Sequence, residues 1–579
     1  MKKHLKINAI LLSFLTSLLL FLSTAVFAQG LVEVPPMSAE GLPINAVEVY
    51  IIEGDSIRVL KDEEFRDFLA YLNLENKGLF NESVFDLKRN AIVSLDEVSD
   101  AYYKTYTQEY AGPVFVRWFI NVASDKSATY LRGVLQTGKL NELPVLVESG
   151  KSKLQVFLNG GFGGFADDNA FFGAGDEFTS GNPVADRPAS LGVTSWLEYF
   201  LEPGIGGIAG IGDADFYLYG AVSGLISGRI GTDIYTKGST SFFDVERAYG
   251  GFLWTNIGRN NNGKLNVSAG RNFFQLNDGF LFSKYSGSAN AGERGSVYLS
   301  SRTTFQKTVL ATLSVKNWTI NGFFLEPQEL FPDRQTNINY TGLTAGYNDE
   351  KMLDANITVF QRTGGVGAYS LPENQSLEKK GLWVINPKLW LTNILNTGLF
   401  FKSEYAYETK SNMQANAWYV GGGIKKNEWK FKPSLYYRYA FMQGDDPETQ
   451  TYERFDPILT GGLGNWVQGL NYRKVIGTGN IISHRIELVG YLSDKLRVSA
   501  DAFFLRAHEL NNRGGLAPIS ELTSRDFGQE YSLTMQYNVN RNFLLLSVIS
   551  GANPGDAFRN NLAGIQPWRT YQLSLFMFL

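Results

Sequence analysis

Short segments of alternating apolar and polar side chains recur from about Ser152 onward, and they constrain the fold more than any other feature. Each segment is about 8–11 residues long, and clusters of Gly, Asn, Asp and Pro separate the segments. In residues 530–539, Tyr531 and Leu533 lie on one face of an extended chain and Glu530 on the other. The same pattern recurs in residues 353–362, 399–408 and 434–441. Such alternation is typical of transmembrane β-barrels, although strands of soluble sandwiches also alternate.

A membrane setting leaves a closed barrel as the available fold. The chain beyond residue 28 has no run of about 18 apolar residues, so it has no transmembrane helix. In lipid, only helices and closed barrels satisfy every backbone polar group. Aromatic residues make up 14% of the chain, charged residues 19%, and glycine occurs 60 times, which suits many short amphipathic strands. At about 24 residues per strand and connection, residues 151–579 predict an all-β transmembrane antiparallel β-barrel of about 18 strands, with 16 or 20 also possible.

The N-terminus predicts export from the cytoplasm. Lys2, Lys3 and Lys6 form a positive region, and the apolar stretch Ile10–Leu22 follows. Residues 1–28 therefore read as a signal peptide that is cleaved after Ala28. The expected location is the outer membrane of a Gram-negative bacterium, with outer-membrane lipid around the barrel.

Residues 29–150 differ in pattern and predict a small α/β periplasmic domain. Strands are expected at Val47–Ile52, Val114–Val122 and Thr129–Gln136. Apolar spacing within residues 65–72 predicts one helix, and a capping box at residues 94–97 predicts a second helix that buries Val98, Ala101 and Tyr102. The element order resembles a POTRA-type domain, and this resemblance implies a periplasmic partner that binds by strand addition.

The C-terminal residues predict a final barrel strand. Tyr571, Leu573, Leu575, Met577 and Leu579 share one face. The segment resembles the terminal strand that the barrel assembly machinery recognises, except that Phe is penultimate and Leu is last.

Several short motifs resemble the alginate-export family of outer-membrane porins. They lie within residues 240–579, and they are Gly270–Phe274, Asp278–Gly279, Gly444–Pro447, Glu453–Pro457 and Asn553–Ala557. This resemblance implies an 18-stranded barrel with a charged constriction for carbohydrate or small anionic solutes. Residues 29–150 are not part of the family's pattern.

Charged side chains on the polar face of the strands are the candidate pore-lining residues. Arginine suits a carboxylate-bearing solute because its planar fork binds carboxylate in a bidentate manner. By alternation, the candidate cations are Arg302, Arg362, Lys402, Arg438, Arg485 and Arg497, and the family motif adds Arg271. The candidate acids are Asp354, Glu404, Glu487 and Asp501. Alternatively, these groups only pair with one another and solvate the wall, and the mixed signs also suit neutral sugars.

Other classes of function find little support in the sequence. The chain has no cysteine and three histidines, so no catalytic residue, metal site or cofactor is expected, and a net charge of −4 argues against nucleic acid. The acidic residues of 165–190 fit a solvated loop better than a Ca²⁺ site. An outer-membrane phospholipase would need a partner for His484, which alternation places on the outward face. The main alternative to a porin is a polypeptide-transport or secretion barrel.

Overall fold

The computed structural model describes residues 151–578 with short gaps, and separate stretches of residues 32–149. The gaps after residue 151 are 180–190, 213–214, 259–262, 284–293, 328–335, 350, 372–374, 428, 461–465, 494 and 541. The stretches before it are 32–34, 36–39, 42–53, 56–61, 64–65, 68–69, 80–82, 85, 88–89, 92, 98–107, 114–122 and 145–149. The predicted signal peptide, the strand expected at Thr129–Gln136 and Leu579 lie outside the described residues. Within these residues, no helix is long and apolar enough to cross a membrane.

A five-stranded sheet forms from the N-terminal stretches, in the order β1-β4-β5-β2-β3. Its strands are β1 (Val32–Val34), β2 (Ile44–Glu53), β3 (Ser56–Val59), β4 (Val98–Thr107) and β5 (Val114–Val122), and the short helix α1 (Pro36–Ala39) follows β1. Strands β2 and β5 contain two of the predicted strands and pair in parallel. Alternate residues of both strands are buried, including Val49 and Trp118.

The helix predicted behind the capping box at residues 94–97 is wrong. Residues 98–107 form β4, which pairs with β1 on one side and β5 on the other. Tyr102, Tyr103 and Thr105 have high β-propensity, and pairing on both edges overrides the local helix signal. Of the residues in the other predicted helix, Phe65, Phe68 and Leu69 are helical, and Leu72 lies outside the described residues.

Eighteen antiparallel strands close into a barrel, which confirms the predicted fold. They are β7 (Ser152–Asp168), β8 (Val193–Gly210), β9 (Phe216–Ile230), β10 (Thr240–Ile257), β11 (Gly263–Arg271), β12 (Lys307–Val315), β13 (Trp318–Glu326), β14 (Asn339–Asn348), β15 (Leu353–Gly364), β18 (Trp383–Ile394), β19 (Leu399–Lys410), β20 (Met413–Lys425), β21 (Ser434–Met442), β22 (Ile481–Ser493), β23 (Leu496–Arg506), β24 (Asp526–Asn538), β25 (Phe543–Pro554) and β26 (Trp568–Phe578). Pairing of β26 with β7 completes the ring. The short strand β6 (Val145–Ser149) pairs with the start of β7, and β16 (Ala368–Ser370) and β17 (Ser376–Glu378) form a separate hairpin.

The barrel wall has an apolar outer face and a polar inner face. On β24, Tyr531 is 45% exposed on the outside, whereas Glu530 is fully buried on the inside. On β26, Thr570 and Ser574 are buried inside and Leu575 is exposed outside, as the sequence predicts. An exposed apolar wall with a polar interior is the arrangement that a barrel needs in a lipid bilayer.

The two ends of the barrel differ in the length of their connections. Long connections lie at one end and include residues 169–192, 272–306, 443–480, 507–525 and 555–567. The connections at the other end are short, as at 316–317 and 539–542. In barrels of this kind the short turns face the periplasm and the long loops face outward.

Two long connections fold into the barrel instead of standing above it. We call residues 272–283 and 294–306 the first inner loop and residues 443–460 and 466–480 the second inner loop. Phe282 of the first loop packs 4.9 Å from the wall residue Phe360, and Trp466 of the second packs 4.5 Å from Tyr419 of the wall, measured between ring centroids. These aromatic side chains are buried. The lumen is therefore narrowed by packed protein where these loops meet the wall.

Candidate functional site

Buried glutamates of the wall hold the two inner loops in place. Glu530 accepts hydrogen bonds from the backbone N–H groups of Leu470 (2.5 Å), Asn471 (3.0 Å) and Tyr472 (3.0 Å), and from Ser550 Oγ (2.6 Å). A carboxylate can accept from several donors at once, so it fixes a loop backbone that would otherwise keep unpaired N–H groups in a dry interior.

The first inner loop is held in the same way. Glu198 accepts from the backbone N–H groups of Tyr298 (2.8 Å) and Leu299 (3.1 Å). Glu246 accepts from Thr303 (2.7 Å) and Thr304 (2.9 Å). Both loops are therefore fixed to the wall by charge-assisted hydrogen bonds, which are stronger than bonds between neutral groups.

A cavity of about 230 Å³ lies where the two inner loops and the connection 231–239 meet. Trp466, Tyr298 and Tyr235 supply aromatic surface, and Gln468 and Lys474 supply polar groups. Gln468 is only 2% exposed, yet neither its amide oxygen nor its amide nitrogen has a hydrogen-bond partner in the described part of the chain. Buried polar groups without partners are costly, so this amide is a ready donor and acceptor for a solute.

Lys474 gives the cavity a buried positive charge. Its Nζ lies 3.7 Å from Asp167 Oδ2 and about 5 Å from the rings of Tyr298 and Trp568. Burial lowers the pKa of Lys474 to about 8, because taking an ammonium out of water disfavours its charged form. The ammonium is therefore charged at neutral pH but loses its proton under mildly alkaline conditions.

Five of the predicted pore-lining residues meet on β21–β23. Arg485 pairs with Asp501 at 2.6 Å and with Glu487 at 3.1 Å, and Arg497 lies 4.0 Å from Glu487. Arg438 lies directly opposite Arg485 in the strand register, and its guanidinium carbon is 4.1 Å from the ring centroid of Trp466. On these strands three cations share two carboxylates, and Asp278 of the first inner loop, which accepts from Trp466 Nε1 at 2.7 Å, is a third acid that interacts with Arg438.

Three more of the predicted residues share a network on β15, β18 and β19. Asp354 pairs with Lys388 at 2.8 Å, and the Nζ atoms of Lys388 and Lys402 lie 4.0 and 4.4 Å from the ring of Trp390. Glu404 accepts from Asn277 Nδ2 of the first inner loop at 2.9 Å. These charges balance one another, as the alternative interpretation of a solvated wall expects.

The remaining three candidates have local partners outside these two groups. Arg271 pairs with Asp244 at 3.1 Å. Arg362 donates to the carbonyl oxygen of Val366 at 2.9 Å, in the connection that carries the β16–β17 hairpin. Strand alternation predicts a wall position for Arg302, but it lies in the first inner loop, where it donates to the Gly295 carbonyl oxygen at 2.9 Å. The strand assignment of Arg302 is therefore wrong, because the chain folds inward there instead of crossing the wall.

The other residues that the sequence singled out have structural surroundings. Arg454 donates to Asn512 Oδ1 at 2.7 Å, and Asp456 pairs with Lys379 at 2.8 Å. Asp167, which was expected in an acidic loop, lies on β7, and the described residues contain no group of His, Cys, Asp or Glu that could hold a metal ion. His484 lies on the outward side, where its Nδ1 is 2.8 Å from the hydroxyl of Tyr437.

Sequence reasoning missed the cavity itself. Gln468, Lys474 and Trp466 lie in a connection without alternation, so no periodic signal marks them. The length of that connection and the inward glutamates of the wall were the available signals. Long connections in compact folds are often functional. Glu198 and Glu530 occupy inward positions on the wall, where each carboxylate needs either solvent or the backbone of another segment as its partner.

Comparison with known proteins gives similarity of fold alone. No family model matches the chain, and no curated protein matches it. The chain is similar to solved structures of outer-membrane porins, among them OccK5 (OpdH) of Pseudomonas aeruginosa, with 11% identity, 73% of this chain and 98% of that chain covered, and a TM-score of 0.44. OccAB1 of Acinetobacter baumannii gives 11% identity, coverage of 76% and 98%, and a TM-score of 0.45. OmpF of Salmonella typhi gives 11% identity, coverage of 74% of this chain and 98% of that chain, and a TM-score of 0.36.

Proposed function

We propose that the protein is an outer-membrane channel of a Gram-negative bacterium that passes small sugar acids or similar anionic solutes. The observation that carries this proposal is the cavity between the inner loops, with a buried ammonium, an unpartnered amide and aromatic walls on one small volume. A sugar acid offers a carboxylate to Lys474, hydroxyls to Gln468 and a ring face to Trp466. Each group of the cavity thus has a complementary group on such a solute.

The charges of the inner wall are nearly balanced. The group on β21–β23 has one cation in excess, Asp278 of the first inner loop interacts electrostatically with Arg438 of that group, and the group around Lys388 is balanced. The anionic preference therefore rests on the buried ammonium of Lys474 in the narrow part of the lumen. Alginate-type export is the finer form of the proposal, since each unit of a polyuronate carries the same carboxylate, hydroxyls and ring. It rests on the motifs within residues 240–579.

Transport into proteoliposomes tests the proposal. Vesicles that contain the full chain are placed in isotonic sodium glucuronate or glucose, and the swelling rate is recorded. Lys474→Met should slow the entry of glucuronate several-fold and change the entry of glucose little. Lys307→Met is the matched control, because Lys307 is an exposed cation paired with Glu326 on the outer wall. If wild-type vesicles admit neither solute, the channel proposal fails. If Lys474→Met leaves glucuronate entry unchanged, the assignment of the cavity fails.

The polypeptide-transport alternative stays a prediction. It requires a partner of residues 29–150, and pull-down of a secreted protein by the full chain, together with vesicles that admit no small solute, would favour it over the channel.

A further inference from the structure

A groove of about 640 Å³ runs along the outer face of the barrel across β22–β26. Small residues form its floor: Gly551, Ala500 and Ala502. Larger apolar side chains stand beside them, including Leu488 (53% exposed) and Leu533 (38% exposed). The groove is therefore a depression in the apolar outer wall.

The strand register places two of the small residues on either side of Tyr531, which also lines the groove. Gly551 lies opposite Tyr531, and Tyr531 lies opposite Ala502. A Cβ atom built on Gly551 would have no other atom within 4 Å, so the space above this residue is open. The channel proposal makes no use of this space, since it lies on the opposite side of the wall from the lumen.

A cation stands at the end of the groove nearest the long loops. Arg569 lies on the outward side of β26, between the buried residues Trp568 and Thr570, and it is opposite Gly551 in the register. Its side chain is 54% exposed, and Asp168 is its ion-pair neighbour at the long distance of 3.8 Å. An exposed guanidinium beside an apolar groove suits an amphiphile with a negative head and a hydrocarbon tail.

We propose that this groove binds one phosphate-bearing lipid of the leaflet at the long-loop end. The guanidinium of Arg569 binds the phosphate, because its fork donates two parallel hydrogen bonds to phosphate oxygens. An acyl chain lies over Gly551, Ala502 and Ala500 and is held by contact with Leu533 and Leu488. Charge complementarity selects this occupant, since a lipid without a phosphate would leave the exposed guanidinium of Arg569 with only its long contact to Asp168.

Lipid titration followed by native mass spectrometry tests the proposal. The full chain in an uncharged detergent is titrated with dipalmitoyl phosphatidic acid, and dipalmitoylglycerol serves as the ligand that lacks the phosphate. Arg569→Gln and Gly551→Leu should each weaken binding of the phosphatidic acid about tenfold, a change equal to about 1.4 kcal/mol. Dipalmitoylglycerol should bind more weakly than phosphatidic acid to the wild type and be unaffected by Arg569→Gln. Inorganic phosphate at the same concentration should not compete, because it lacks the chain.

Two matched controls separate a site from general lipid contact. Lys307→Gln removes another exposed outer cation at the same end of the barrel, and Gly322→Leu fills another outward glycine whose Cβ would meet open space. Neither should alter binding. Equal losses in the controls, or no loss in Arg569→Gln and Gly551→Leu, would overturn the proposal. The proposal would also be overturned if light scattering showed that the wild type is a dimer and that Gly551→Leu is a monomer, because the groove would then be an interface between copies. Heat-shifted gel mobility confirms that each variant is folded.

Discussion

Replacing Glu530 by glutamine should release the second inner loop. Glu530 is fully buried and accepts from three consecutive backbone N–H groups and from Ser550 Oγ. Glutamine keeps one oxygen, but its amide nitrogen is a donor that must face other donors. The loop backbone lies directly against this carboxylate, since a Cβ built on Gly469 would overlap Glu530 Oε2.

The size of the effect follows from the hydrogen bonds that change. A bond to a charged group contributes about 1.5–3 kcal/mol and a neutral one about 0.5–1.5 kcal/mol. With four donors, of which glutamine can serve about half, the closed position of the loop should lose about 3–5 kcal/mol. Since about 1.4 kcal/mol is a factor of ten in an equilibrium constant, the open population should rise at least a hundredfold.

Limited trypsin digestion measures that population. Arg473 and Lys474 are adjacent cleavage points that line the cavity while the loop is packed into the barrel, so their cleavage rate follows the open fraction when opening is fast. Glu530→Gln should raise the rate about a hundredfold or more, and Glu530→Asp should give a smaller increase. Glu521→Gln is the control, since that side chain is 84% exposed. Unchanged cleavage in a folded Glu530→Gln barrel would refute the anchoring role of the carboxylate.

Three further results are expected. Burial lowers the pKa of Lys474 to about 8, so its charge is present below that pH and lost above it. Anion preference in reversal-potential measurements should therefore fall between pH 7 and 9 in the wild type but not in Lys474→Met. Arg438→Ala should shift the reversal potential toward cations, because only Arg485 and Arg497 then remain beside Glu487, Asp501 and Asp278. Arg362→Ala should shift it less, since Arg362 binds a carbonyl oxygen; equal shifts would contradict this ordering. Gly270→Ala should lower the free energy of unfolding in urea by about 1–3 kcal/mol, because φ is +127° and the new Cβ would lie 2.3 Å from a carbonyl oxygen, whereas Gly322→Ala should change it little.

The sequence predicts the wall well because strand alternation is local. Which face Asp354 or Arg438 occupies depends only on its parity within its strand, and the structure places both inside the barrel. The strand number also follows, since total length and the average repeat are enough to estimate it. By contrast, Arg302 was misplaced because alternation carries no information about where a strand ends and a loop turns inward.

The candidate site could not be predicted because it depends on contacts between distant segments. Gln468 and Tyr298 meet only after two loops have folded into the lumen, and nothing in either segment's own pattern specifies the other. The same reason explains the missed strand at Val98–Thr107, where pairing with β1 and β5 decides the outcome over a local capping signal.

The seam between β7 and β26 sets an order for assembly. Trp568 donates to Asp167 across the seam, although the two residues are 401 positions apart in the chain. Closing a loop of that length from an unfolded chain costs about 5 kcal/mol of entropy, far more than forming neighbouring hairpins across short turns. The hairpins therefore form first and the seam forms last. Until then the edges of β7 and β26 are unpaired and can pair with strands of other chains. A barrel of this design must therefore be kept apart from other copies of itself until its first and last strands pair.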